Sequence, residues 1–152
     1  YFKRYPAGFR KFEPTCDTSE LQDCPRESIV NTYDNTILYT DHFLGRVVDM
    51  LENLKGVRAS MIYVSDHGES LGENEIYLHG MPYAIAPEQQ KKVPMVIWMN
   101  AGQRKYVDYE CLRSRRTGAV SHDHLFHSIL GLSEVRSKLY VAQLDLFKPC
   151  AK

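Results

Sequence analysis

The side chains best suited to chemistry lie in Ser65-Asp66-His67-Gly68-Glu69-Ser70-Leu71-Gly72-Glu73 and, just after, in Leu78-His79-Gly80. An aspartate and a histidine stand side by side directly after the apolar run Ala59 to Val64, which reads as a buried strand. Ligands of open α/β sheets bind beyond the carboxyl ends of strands. Asp66 and His67 are therefore delivered to a place where a metal site can be built, and carboxylate plus imidazole suits zinc. His79 follows on a loop flanked by Gly80, from which it can reach a phosphoryl oxygen or a metal. This arrangement points to metal-assisted chemistry on phosphate or sulfate esters. The Asp66-His67 pair alone also fits a polar strand-to-loop turn in which the Asp side chain bonds the backbone after it. Two ligands do not complete a catalytic zinc site. The glycines of the longer run favour the first reading, because they permit backbone angles that fold a loop tightly around a ligand.

Other polar side chains fit plainer roles. Glu69 and Glu73 are four apart and read as solvated or structural. His122, His124 and His127 read as helix surface and capping residues, since no Cys or Glu completes a metal site there at useful spacing. His42, beside Asp41, reads as structural. Tyr33, Asp34 and Asn35 read as packing and surface residues. The run Arg113 to Arg116 suits a solvated connection, with contact to anionic headgroups as the alternative.

The elements that must position these residues follow from periodicity and punctuation. Residues 1–24 are rich in Pro, charge and aromatics without a period, and read as a covering loop. Pro25 suits a first helical position, and Glu27 complements the helix dipole. Apolar residues from Ile29 to Leu54 recur at three- and four-residue intervals, predicting a helix to about Leu54. Gly56 then offers a C-cap signal. Ala59–Ser65 and Val93–Met99 are near-continuous apolar strands, as expected of strands covered on both faces. Residues 66–92 form a long loop, a kind that is usually functional or disordered. Residues 100–120 read as an exposed connection. Ser121 can cap a helix ending near Gly131, and Val135 to Lys152 yields no assignment. Alternation of helices with short strands argues for α/β layering.

The 152 residues can bury one real core, with 43% apolar and 25% charged residues. Lys plus Arg equals Asp plus Glu at 19 each, so net charge gives no argument for nucleic acid as a partner. No apolar run approaches the ~20 residues of a membrane span. The chain opens without an initiator Met and reads as an excerpt of something longer. Cys16, Cys24, Cys111 and Cys150 allow three connectivities, and sequence alone does not choose. Cys16 and Cys24 close a short polar loop that suits a local disulfide, leaving Cys111 and Cys150 to each other. Zinc binding by cysteine is the weaker reading without a C-x-x-C pair, and four free thiols remain open.

S-D-H-G-E-S-L-G-E-N (65–74), Y-L-H-G-M-P-Y-A-I-A-P (77–87) and V-P-M-V-I-W-M (93–99) together closely resemble the phosphoethanolamine transferases that modify lipid A, including the mobile colistin-resistance enzymes. N-T-Y-D-N-T-I-L-Y-T-D (31–41) and S-H-D-H-L-F-H-S-I-L-G-L (121–132) extend the likeness over nearly the whole chain. The resemblance implies an alkaline phosphatase/sulfatase-like α/β/α sandwich, of which this chain is the C-terminal part. It implies zinc held in part by Asp66 and His67, with His79 contacting the phosphoethanolamine group or a second zinc. It also implies transfer from phosphatidylethanolamine to lipid A at the periplasmic face of the bacterial inner membrane, through a membrane domain not in this chain. Disulfides in the family's periplasmic domains agree with pairing Cys16 with Cys24. The threonine nucleophile, the acidic ligand and a further histidine of the family lie upstream of the residues matched here. The isolated chain is therefore expected to be inactive and to bind zinc weakly at best. A core-sugar acceptor, a non-catalytic module and a hydrolase of the same superfamily are the competing readings.

Overall fold

A computed structural model describes all residues, 1–152. In chain order the elements are α1 (Arg26–Glu52), β1 (Ser60–Val64), β2 (Ser70–Leu71), β3 (Tyr77–Leu78), α2 (Glu88–Lys91), β4 (Met95–Met99), α3 (Tyr109–Ser114) and α4 (Asp123–Leu132), joined by single turns of 3-10 helix. Strands β1 and β4 form one two-stranded sheet, β2 and β3 another. The chain divides into two compact units: residues 1–53 with 62–96, and residues 54–61 with 97–152.

The first unit is organised by α1. Its N-terminal half is buried around Ile29, against Cys16 and Leu21, with Tyr1, Cys24, Leu71 and Tyr77 packed at the edge. Burying that apolar stripe, rather than helix propensity, is what holds such a helix. The segment 1–24 is indeed a cover, and polar side chains of α1 fasten it. Thr32 Oγ1 accepts the Cys16 N–H at 2.7 Å and donates to the Ser28 carbonyl at 2.6 Å. The fully buried Asn35 accepts the Lys11 and Phe12 N–H groups at 2.8 and 3.0 Å and donates to the Phe12 carbonyl at 3.0 Å. Asn35 is thus an interior clamp rather than a surface residue. His42 is structural as expected, with its ring against Phe9 and Tyr39. A Cys16–Cys24 disulfide closes the cover.

Helix α1 differs from expectation at both ends. Pro25 has extended backbone (ψ 140°) and stands just outside the helix. The helix stops at Glu52, where Asn53 donates its N–H and its side-chain amide to the Asp49 carbonyl. That satisfies the last turn before Gly56 (φ +72°) is reached. The glycine shapes the following turn instead.

The strands are shorter than expected and not sealed on both faces. All five residues of β1 are half-buried, and Val96 of β4 is exposed. The apolar run predicts strand correctly, but continuous apolarity does not fix coverage. Within 66–92 the chain is ordered: β2 and β3 pair antiparallel with Ser70 opposite Leu78, and α2 follows. Gly72 (φ +95°) starts the reversal between the two strands, and the Glu73 carboxylate accepts the Leu71 N–H at 2.7 Å while pairing with Arg26 at 3.2 Å.

The second unit buries Met99, Val107, Phe147 and Cys150. Asn100 ends β4 and ties it down: its Oδ1 accepts from the backbone of Ala59 and Gln103, and its amide donates to Val57. The expected connection 100–120 contains α3, which Asp108 caps by accepting the Glu110 and Cys111 N–H groups. A Cys111–Cys150 disulfide and a Val107–Ala151 bridge hold the end of the chain to α3. His122, not Ser121, occupies the cap position of α4; Ser121 stands one residue earlier and bonds Asp123 and His124. The unassigned tail lies on α4: Ser128 Oγ accepts the Leu146 N–H, His127 Nδ1 accepts the Val141 N–H, and buried Asp145 takes the Tyr140 hydroxyl at 2.6 Å.

Candidate metal centre

Strand β1 ends at Val64, and the next residues turn sharply. Ser65 Oγ donates to the His67 carbonyl at 2.8 Å, and the Asp66 carboxylate accepts the His67 N–H at 3.1 Å. That is the polar turn an Asp favours. The same carboxylate leaves its other oxygen 3.7 Å from His67 Nε2, with 88% of the Asp66 side chain exposed. Two ligands of one tetrahedral zinc stand roughly 3.3 Å apart, given zinc–ligand distances near 2 Å. The turn and the metal reading are therefore compatible in one geometry.

Gly68 positions the loop by close approach. Its N–H donates to the Gln90 carbonyl at 3.0 Å, and a Cβ there would overlap the Gln89 carbonyl oxygen. Gln90 also donates from its side chain to the buried Ser70 Oγ at 2.9 Å. The segment 68–70 is thus pinned to α2 from both sides. The unusual angles expected of the glycines occur at Gly72 and Gly80 (φ +95° and +107°), while Gly68 is needed for space.

The β2–β3 reversal carries His79 back to His67. The two rings lie 3.7 Å apart between centroids, tilted by 30°. Each ring has its Nδ1 engaged: His67 with the Gly68 carbonyl at 3.0 Å, His79 with a Glu69 carboxylate oxygen at 2.9 Å. Both partners accept, so each Nδ1 carries the proton and each Nε2 keeps a lone pair. Metal-binding histidines are held this way, the second nitrogen donating to a carbonyl or carboxylate. Leu78, just before His79, has a left-handed backbone (φ +63°), and Gly80 follows with another. A branched residue in that region is strained, and strain of this kind gathers at functional sites.

Glu69 corrects the reading of that residue as solvated. Only 10% of its side chain is exposed, and its second oxygen, Oε2, is buried without a hydrogen-bond partner. The buried Tyr1 hydroxyl faces the same carboxylate. Burial, then the Glu69 carboxylate as hydrogen-bond acceptor and as charge, push the Tyr1 phenol well above its ordinary range; burial and the Glu69 charge shift Tyr33 the same way. A buried carboxylate beside two imidazoles is a setting that suits a cation. His67, Glu69 and His79 each place a ligand atom within 4.8 Å of the others. Two imidazoles and a carboxylate, with Asp66 adjoining, are a donor set that fits zinc. Glu73, as expected, is structural. The cluster His122, His124 and His127 assembles no such group; His124 and His127 bond locally. Nothing in periodicity distinguishes Glu69 from Glu73. The distinction comes from the hairpin that folds 77–80 back over 67–69.

The sulfatase family profile matches residues 1–135. Phosphoethanolamine transferase EptA of Escherichia coli strain K12 is 49% identical over 156 residues, covering all of this chain and 28% of that protein. Among solved structures, the integral membrane protein lipooligosaccharide phosphoethanolamine transferase A from Neisseria meningitidis superposes with a TM-score of 0.96 at 45% identity, covering 99% of this chain and 29% of the other. The C-terminal periplasmic domain of phosphoethanolamine transferase EptC from Campylobacter jejuni does so at 0.90 and 46% identity, covering 97% and 47%. These similarities bear out the sulfatase-like α/β fold. The chain spans under a third of the full-length relatives and about half of that periplasmic domain. No helix here is long and apolar enough to cross a membrane.

Proposed function

Because this chain belongs to the sulfatase family, we propose that it forms part of the zinc site of a transferase moving phosphoethanolamine from phosphatidylethanolamine to a phosphate of lipid A. Its place of work would be the periplasmic face of the inner membrane, in keeping with relatives named as an integral membrane protein and as a periplasmic domain. One observation carries the reading. His67 and His79 meet ring to ring at 3.7 Å, each with Nδ1 committed and Nε2 left for a ligand.

Asp66 and His67 would hold the zinc. Bound there, zinc makes a coordinated hydroxyl a better nucleophile at neutral pH and offsets charge on the phosphoryl oxygens. His79 Nε2 would ligate a second zinc through its lone pair or, after taking up a proton, hold a phosphoryl oxygen and pass that proton to the leaving group. Glu69 holds the His79 ring in its tautomer through the 2.9 Å bond to Nδ1. The nucleophile would come from outside these residues. The hydroxyls of Thr15, Thr32, Thr36 and Thr40 donate to neighbouring groups of the cover and of α1 rather than to the histidine cluster. The chain alone should therefore bind zinc without transferring phosphoethanolamine.

The test is zinc titration by calorimetry, alongside transfer of a labelled headgroup from phosphatidylethanolamine to lipid A. Zinc binding that disappears in His67→Ala, with no transfer by the chain alone, is the expected result. Zinc binding indifferent to both His67→Ala and His79→Ala would overturn the site.

A further inference from the structure

The overall charge balance of zero conceals a division. Residues 54–61 and 97–152 carry eleven Lys and Arg against five Asp and Glu, a net +6; the rest of the chain carries eight against fourteen, a net −6. The second unit is strongly basic by itself, and seven of its eleven cations lie in residues 103–118 and 148–152. The Cys111–Cys150 bond, with Cα atoms 5.6 Å apart, staples α3 to the last residues. Arg113, Arg115 and Arg116 therefore lie about one turn from the staple on one side, and Lys148 two residues from it on the other. The Asp108 N–H reaches the Cys150 carbonyl at 2.8 Å, and Lys152 Nζ reaches the Arg104 carbonyl at 3.1 Å. These bonds bring the Arg104 turn to the same patch.

Residues 103–118 and 148–152 hold seven cations and only two carboxylates, and both carboxylates are occupied. Asp108 caps α3, and Glu110 stands 3.8 Å from Arg113. Arg115, Arg116 and Lys148 are exposed without an ion pair. Exposed Tyr106 and Val120 border the patch, so apolar side chains flank the charge. A basic surface edged by aromatic and apolar groups suits the boundary between water and an anionic bilayer.

We propose that the disulfide-stapled basic patch of α3 and the chain end docks on a membrane surface rich in anionic phospholipid, orienting this unit against the bilayer. The argument stands on charge placement and needs neither zinc nor the transferase reading. A bilayer is favoured over a nucleic acid because the cations sit with apolar neighbours on a compact, covalently fixed surface.

Co-sedimentation of the oxidised chain with vesicles tests it. Binding is expected to vesicles of phosphatidylglycerol and phosphatidylcholine, not to phosphatidylcholine alone, at about 50 mM salt, and to fade near 0.5 M as screening shortens. Each cation near such a surface is worth about fivefold. Arg115→Glu/Arg116→Glu should bind at least about twentyfold more weakly, and Lys148→Glu/Lys152→Glu, across the disulfide, should behave alike. Lys11→Glu/Arg46→Glu makes the same charge change in the other unit and should leave binding intact. Circular dichroism checks that each variant is folded. The proposal is overturned by no binding to the anionic vesicles, by equal loss in the Lys11/Arg46 variant, or by undiminished binding in either patch variant. Tighter binding of duplex DNA than of vesicles at the same salt overturns it too.

Discussion

Gly68→Ala tests how the loop of the candidate metal site is held. Gly68 lies between His67 and Glu69, its N–H on the Gln90 carbonyl and its own carbonyl on His67 Nδ1, both at 3.0 Å. A methyl group there would overlap the Gln89 carbonyl oxygen and sit 2.9 Å from its carbonyl carbon and 3.3 Å from that of Gln90. These are backbone atoms and cannot rotate aside. Carbon contacts settle at about 3.5–4.0 Å and the overlapping Gln89 oxygen is the limiting one, so the loop must retreat by roughly an ångström or more. That retreat takes the Gly68–Gln90 bond past the limit of a hydrogen bond. Overpacking costs about 1–3 kcal/mol and the lost bond about 1, so stability should fall by about 2–4 kcal/mol. If the loop detaches instead, His67 loses its orienting carbonyl, and zinc affinity should drop about 10- to 100-fold. Urea unfolding and competition against a chromophoric chelator read the two quantities. Stability within about 0.5 kcal/mol of the parent, with unchanged zinc affinity, would refute the argument.

Two further outcomes follow from covalent and electrostatic features. Loop-closure entropy ranks the two disulfides, with sequence separations of 39 and 8. Cys111→Ser/Cys150→Ser should cost about 4 kcal/mol and Cys16→Ser/Cys24→Ser about 2.5; urea midpoints in the reverse order would contradict that ranking. Burial alone would raise the Glu73 carboxyl, but the backbone N–H groups of Glu73 and Leu71 and the Arg26 guanidinium outweigh it and leave the group below its ordinary 4.5. Its stabilisation is therefore present above about pH 4.5 and is lost as pH falls through the lower, folded value. Glu73→Gln should flatten the acid limb of stability against pH; an unchanged limb in thermal melts from about pH 2 to 5 would count against this.

Much of the site is legible because its parts are local. Asp66 and His67 follow a strand announced by Ala59 to Val64. His79 is recognisable by its Gly-flanked setting, although its meeting with His67 depends on the β2–β3 reversal. What escapes the sequence is whatever depends on a distant partner. Glu69 and Glu73 have the same type and similar neighbours, yet one orients a histidine and the other caps a hairpin. Asn35 sits among surface-like helix residues, and only the path of residues 10–13 makes it an interior clamp. Helix α3 is hidden by its length, because a helix of six residues leaves too short a stripe for periodicity to register. The partial burial of β1 and β4 is equally invisible, since an apolar strand reads the same whatever the extent of its cover.

The Asn35 clamp also bears on how the chain ages. It works only because one amide both accepts and donates: two N–H groups meet Oδ1, and Nδ2 meets the Phe12 carbonyl. Slow deamidation replaces that nitrogen with oxygen. The new carboxylate would face the Phe12 carbonyl with no proton between them, in a place water does not reach, and the cover over α1 would lift. The reaction begins when the next peptide nitrogen, that of Thr36, attacks the side-chain carbonyl. Within α1 that nitrogen is held in the helical ladder. The helix that depends on this asparagine for its cover also protects it from the chemistry that would undo it.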